Sequence, residues 1–152
     1  YVKLLPEDGH LIINADDNNC LDLPVYSKAQ AIKYGIENDD VDFQAKNIKF
    51  DDEGMAEFDV YKYNEFYEHI SLSIPGRHNV LNALACIALC DTYGISKTDI
   101  KNAIHKFKGA DRRFEFKGML NGARVYDDYG HHPTEVKATA KALKNKKYNK
   151  SR

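Results

Sequence analysis

No apolar run in these 152 residues reaches the ~18 to 20 that a bilayer crossing needs, so no membrane partner is expected. Cysteine is scarce and unpatterned. Cys20, Cys86 and Cys90 are odd in number, and none falls in a C-x-x-C spacing. Cys86 and Cys90 lie four apart in an apolar helical run and are expected to be buried small hydrophobes. That usage predicts a reducing, cytoplasmic setting and no cysteine metal site. A net charge of −1 leaves no global field to attract nucleic acid or an anionic membrane. The chain also lacks a G-x-x-x-x-G-K-[ST] phosphate loop, a G-x-G-x-x-G turn, a nucleophile elbow and any His/Cys metal spacing. By itself it shows no machinery for phosphoryl transfer. Tyr1 opens it with neither Met nor a basic n-region, and it is expected to be a piece of a longer protein.

What is present converges on Asp127-Asp128-Tyr129-Gly130-His131-His132-Pro133-Thr134-Glu135-Val136. A short apolar strand over residues 123–126 precedes it. Pro133 suits the first position of a helix, where its missing N–H costs nothing. Acidic, aromatic and imidazole groups therefore crowd a strand-to-helix corner, the place where α/β sheets bind ligands. The plainer alternative is an ordinary corner with a histidine cap.

Upstream, Leu11-Ile12-Ile13-Asn14-Ala15 reads as a buried strand ended by the turn formers Asp16-Asp17-Asn18-Asn19, whose acidic pair is read as part of a solvated loop, with a place near a ligand as the alternative. Residues 31–36 read as a second strand of the same kind. Val41, Phe43 and Ala45 alternate, and Ile48 and Phe50 continue on the opposite parity, which predicts a bulge near Asn47. Turns at Asp51-Asp52-Glu53-Gly54 and Asn64-Glu65 separate this strand from two more, making an antiparallel meander. Tyr61, Tyr63 and Tyr67 are read as sheet packing, and no basic–aromatic interleave points to nucleic acid.

Pro75-Gly76 breaks the third strand, and residues 78–90 read as a helix. Only Asn82 is polar from Val80 to Cys90, so the helix is expected to be buried on most sides. His78, Asn79 and Asn82 share a face of its first turn. An amide there can donate to and accept from a base edge at once, or Asn79 can cap the helix while Asn82 joins a core network. Gly94 ends this helix, and Ser96, with Asp99 three residues on, opens another. Ile100, Ala103, Ile104 and Phe107 are its apolar stripe, Lys97, Lys101, Lys106 and Lys108 its wet face, and His105 a surface residue. Arg112 and Arg113 sit in a charged hinge, placed to clamp phosphate or to pair with Glu115. Asn121-Gly122 is a tight turn. Val136, Ala140 and Leu143 form a last helical stripe, and the Lys/Asn-rich tail from Lys144 is expected to fray.

Three stretches, Pro75 to Ala85, Phe107 to Glu115 and Asp127 to Val136, together resemble the Mur ligase family, the ATP-dependent amide ligases of peptidoglycan synthesis. Ile13-Asn14-Ala15-Asp16-Asp17 and Lys33-Tyr34-Gly35-Ile36 are similar to the family's central domain. The Asp127 to Val136 run resembles its alanine-adding branch. The resemblance implies an α/β chain. A partial central ATPase domain (strands, antiparallel meander, two helices) would fill residues 1–109. The first β-β-α part of a Rossmann-like C-terminal domain would fill residues 110–152. It implies an enzyme that activates the carboxylate of UDP-N-acetylmuramic acid as an acyl phosphate, using ATP and Mg2+, for attack by L-alanine. By the same resemblance, His78, Asn79 and Asn82 lie at adenine, Arg113 at the ATP phosphates, Asp128 at the ribose, and His131 and His132 beside it. No catalytic residue and no magnesium ligand falls in this chain, which alone is expected to be inactive. The competing readings are the ligase that recycles murein peptides and a non-catalytic nucleotide-binding domain.

Overall fold

The computed structural model of the protein describes residues 1–144. A five-stranded sheet runs in the order β1 (His10–Asn14), β2 (Gln30–Gly35), β3 (Phe43–Phe50), β4 (Met55–Lys62), β5 (Glu65–Pro75). β1, β2 and β3 are parallel neighbours, and β3, β4 and β5 form the antiparallel meander. The parity change of β3 is a register shift between Lys46 and Lys49, with Asn47 at φ 55. The β4–β5 turn lies one residue earlier than the sequence suggests: Tyr63 and Asn64 take positive φ and Glu65 already pairs. Two successive left-handed residues match the twist of a hairpin.

Helix α1 (Asn18–Leu21) is a single turn capped by Asp17. Helix α2 (Arg77–Thr92) crosses the sheet and presses Val80, Ala83, Leu84, Ile87 and Ala88 onto it. There they meet Phe43, Phe58, Val60, Ile70 and Leu72 in one core. The opposite face of α2 is open, contrary to its composition. Asn82 and Cys86 are exposed and Leu89 is 43% exposed. A continuous apolar run says that a helix has no polar face, not that a neighbour covers every face. Asn82 therefore does not join a buried network, and Cys86 is not a core residue.

A Schellman closure ends α2: Ile95 N–H donates to the Cys90 carbonyl and Gly94 N–H to that of Asp91. Ser96 then caps α3 (Lys97–Lys106) by accepting from Asp99 N–H at 3.1 Å. Ile100 is buried and Phe107 is 52% exposed. Two of the four lysines expected in water turn onto β5 instead. Lys97 Nζ sits 4.2 Å over the Tyr67 ring, and Lys101 pairs with Glu68 at 2.9 Å.

β6 (Glu115–Leu120) and β7 (Ala123–Asp127) form a separate antiparallel pair around Asn121-Gly122, and Pro133 opens α4 (Pro133–Lys144). Phe114 stacks on Tyr126 with centroids 4.6 Å apart. Val136 is 51% exposed, so the predicted stripe of α4 is only partly covered. The tail expected to fray, residues 145–152, lies outside the described residues.

Candidate functional site

Residue Asp128 follows β7, and His78 stands at the start of α2, fifty positions earlier in the chain. The fold brings them into electrostatic contact. His78 is exposed at the surface, yet desolvation by its neighbours holds its pKa below the ordinary histidine value, and Asp128 pulls in the opposite direction. Exchanging Asp128 for Asn is therefore expected to lower the His78 pKa further, which histidine ring resonances in an NMR titration will read. Because the folded-state value is depressed, stability from this group is complete above the ordinary value and declines as pH falls through it toward the folded value.

Each candidate has a distinct job in the local geometry. Asn79 neither caps α2 nor faces outward with a free amide. Its Nδ2 donates to the Pro75 carbonyl at 2.9 Å and its Oδ1 accepts from Asn82 Nδ2 at 3.1 Å. Asn79 thus ties the end of β5 to the first turn of α2 and holds Asn82. Asn82 is exposed and spends one N–H on that bond, which leaves the other N–H and its carbonyl oxygen for a ligand.

At the other wall, the Asp128 carboxylate accepts from Phe114 N–H at 2.9 Å, Gly130 N–H at 2.7 Å and the Thr139 hydroxyl at 3.2 Å. It is the hub of the corner. A Cβ at residue 130 would stand 2.6 Å from Asp128 Oδ1, so any side chain there would have to displace that carboxylate. His132 caps α4: its Nδ1 accepts from Thr134 N–H at 3.3 Å, while Glu135 accepts from the backbone N–H groups of His132 and His131. This is a reciprocal capping box with histidine in the cap position, the plainer alternative for that residue. The two backbone donors, His132 first, hold the Glu135 carboxyl below the usual range. His131 keeps an exposed ring, edge-on to Tyr129.

The arginines separate. Arg112 lies 4.8 Å over the Tyr129 ring and 3.8 Å from Asp127. Arg113 is exposed beside Glu135. In place of the alternative guanidinium pair, Glu115 accepts from the Arg112 backbone N–H and from Lys117 Nζ.

Asp16 is the residue whose importance the sequence did not announce. Far from being solvated, its carboxylate accepts from the N–H groups of Ile36 (2.7 Å), Glu37 (3.0 Å) and Asn38 (2.9 Å). Glu37 in turn ion-pairs with Arg77 at the head of α2, so Asp16 orders a loop that borders the site. Two clefts, one lined by Lys33, Asp40 and Tyr63 and one by Lys62, Phe66 and Lys97, share no residue with it.

The open amide of Asn82 lies one turn along α2 from His78, on which the Asp128 carboxylate acts, and the exposed Arg113 lies near Glu135. Residues 2–90 match the family model of the Mur ligase middle domain, and residues 112–152 match that of the Mur ligase, glutamate ligase domain. The chain belongs to the Mur ligase family. A UDP-N-acetylmuramate–L-alanine ligase of Clostridium acetobutylicum is 47% identical over 150 residues, covering 99% of this chain and 32% of its own length. The chain thus spans about a third of the length of the curated relatives it matches. Among solved structures, MurF from Acinetobacter baumannii superposes with a TM-score of 0.80 at 25% identity, over 92% of this chain and 30% of that one. The UDP-N-acetylmuramate–alanine ligase MurC from Thermotoga maritima gives 0.74 at 27% identity, over 88% of this chain and 30% of that one. The α/β reading and the family resemblance are borne out.

Proposed function

We propose that the whole protein is an ATP-dependent ligase that joins L-alanine to UDP-N-acetylmuramic acid through an acyl phosphate, in the cytoplasm. This chain would supply the adenosine side of the ATP site, with residues 1–109 as the second half of the central domain and residues 110–152 as the start of the C-terminal one. What supports the reading is the electrostatic influence of Asp128 on His78, one turn of α2 before the open amide of Asn82. Asn82 would read the adenine edge, with Asn79 holding it and His78 beside it. Asp128 would accept from the ribose hydroxyls, with the His131 ring next to it and His132 fixing the corner. Arg113 would meet phosphate, where a guanidinium makes strong charge-assisted bonds. An anionic Asp128 would repel phosphate, which favours the ribose role. Mg2+ is proposed for the whole protein only. Among the described residues no group of three His, Cys, Asp or Glu is placed to hold a metal, and no step is assigned to it. This chain alone is expected to be catalytically inert.

The test is phosphate release from ATP by the full-length protein, with UDP-N-acetylmuramate and either L-alanine or a murein tripeptide. Dependence on L-alanine supports the proposal. Dependence on the tripeptide selects the recycling ligase, a reading kept because a murein peptide ligase from Psychrobacter arcticus also superposes, with a TM-score of 0.67 at 28% identity. In the active protein, Asn82→Ala is expected to raise KM for ATP about tenfold, the equivalent of one lost hydrogen bond, and to leave KM for alanine unchanged. Equal effects on both substrates would reassign Asn82 to a structural role.

A further inference from the structure

β6 and β7 pair with each other, and among the described residues neither joins the five-stranded sheet. Residues 107–114, which lead into them from α3, contain no helix or strand. A connection of that kind does not fix where the hairpin lies against the rest of the chain. A long-range ion pair supplies what the connection lacks. On β7, Arg124 Nη1 donates to Glu53 Oε2 in the β3–β4 turn at 2.6 Å, across 71 positions of the chain.

The turn that presents Glu53 is itself anchored. Asp51 Oδ1 accepts from the N–H groups of Glu53 and Met55, each at 2.9 Å. The Gly54 carbonyl accepts from Gly76 N–H at 3.0 Å, and Gly76 is the cap residue of α2. Asn79, bonded to the Pro75 carbonyl, then holds Asn82 in the first turns of α2. At the other end, Arg124 stands on the strand that runs into Asp127 and the Asp128 corner. Hydrogen bonds and backbone therefore lead without a break from Asn82, through the turn and the ion pair, to Asp128.

We propose that Glu53 and Arg124 are positioning residues: their ion pair docks the β6–β7 hairpin on the β3–β4 turn and so sets the Asp128 corner against the head of α2. The effect on nucleotide binding rests on the reading of this corner as the adenosine side of the ATP site, whereas the docking itself does not. Both side chains are about half exposed. Exposed ion pairs shift an equilibrium by roughly 1.4- to 5-fold. That is too little to hold a fold together, but it changes the fraction of molecules in a binding-competent arrangement.

Docking is tested first, on the full-length protein without nucleotide. Arg124→Lys keeps the positive charge and adds an amine that a water-soluble carbodiimide can join to the Glu53 carboxyl. The amide forms with loss of one water, which the carbodiimide takes up as its urea. Peptide mass mapping should show this cross-link beside that of Lys101 with Glu68, a pair at 2.9 Å that serves as the positive control. Formation of the control link alone would overturn the proposal. Kinetics are the second arm. Glu53→Gln and Arg124→Gln should each raise KM for ATP about threefold and leave KM for alanine unchanged. Exchanging the charges, Glu53→Arg with Arg124→Glu, should restore the wild-type KM, which a loss of local packing would not allow. A swapped pair as weak as the single variants would overturn the proposal. So would an unchanged KM for ATP in both single variants where Asn82→Ala raises it. If Asn82→Ala is silent too, the adenosine reading falls, and the cross-link alone decides the docking.

Discussion

Phe58→Ala is expected to lower the free energy of unfolding by about 4 kcal/mol, within the range for emptying a fully buried aromatic site. Phe58 has no exposed surface. It sits in the middle of β4, opposite Ile70 of β5, with β3 on its other side and α2 packed over the sheet. Collapse around the cavity is limited because neighbours on two sides belong to hydrogen-bonded strands and α2 closes a third. A domain of this size holds about 5 to 15 kcal/mol in total, so the variant would stand close to unfolding at 37 °C. A urea titration should show the midpoint fall without a change in slope. Phe66→Ala is the control, because Phe66 is 58% exposed, and it should stay within about 0.5 kcal/mol of the wild type. Equal losses at the two positions would mean that the core does not centre on β4.

The second large effect is expected at Asp16. Its removal should cost on the order of 3 kcal/mol, although its neighbour Asp17, one position on, should cost only about 1 kcal/mol. The difference lies in what each carboxylate holds. Asp17 caps a single helical turn. Asp16 reaches twenty residues along the chain and accepts three consecutive backbone N–H groups at the end of β2. Hydrogen bonds to a charged acceptor contribute about 1.5 to 3 kcal/mol each, but water can replace part of this at Glu37, which is exposed. Gly35 belongs to the same device, because a Cβ there would stand 2.8 Å from Asp16 Oδ1. The cost of Gly35→Ala should therefore shrink in the Asp16→Ala background, as expected of two groups in contact. Additive losses in the double mutant would show that the two positions act separately. Unfolding by urea, with hydrogen exchange at residues 36–38, measures both.

In the candidate site, the sequence singled out a set of polar residues but not how each is used. His78, Asn79 and Asn82 stand in the first turns of α2, and Arg113, Asp128, His131 and His132 stand around the β6–β7 pair and the start of α4. Yet Asn79 and His132 are spent on local hydrogen bonds, and Asn82 and Arg113 are left open. A string of polar letters cannot show that division, because whether an amide is free depends on what lies within 3 Å of it.

Local rules were enough for the meander, the bulge at Asn47, the Ser96 cap, the Asn121-Gly122 turn and the Pro133 helix start. Each of these rests on side-chain alternation, backbone dihedrals or a bond within four residues, all written in adjacent letters. Tertiary structure alone decided the rest. It turned Asp16 from a turn residue into an anchor, Lys97 and Lys101 from a wet face onto β5, and Cys86 from an expected core residue to an exposed one. It also set Asp128 beside His78. Those outcomes depend on groups 20 to 50 residues distant in the chain, and burial and charge are properties of what surrounds a residue in space.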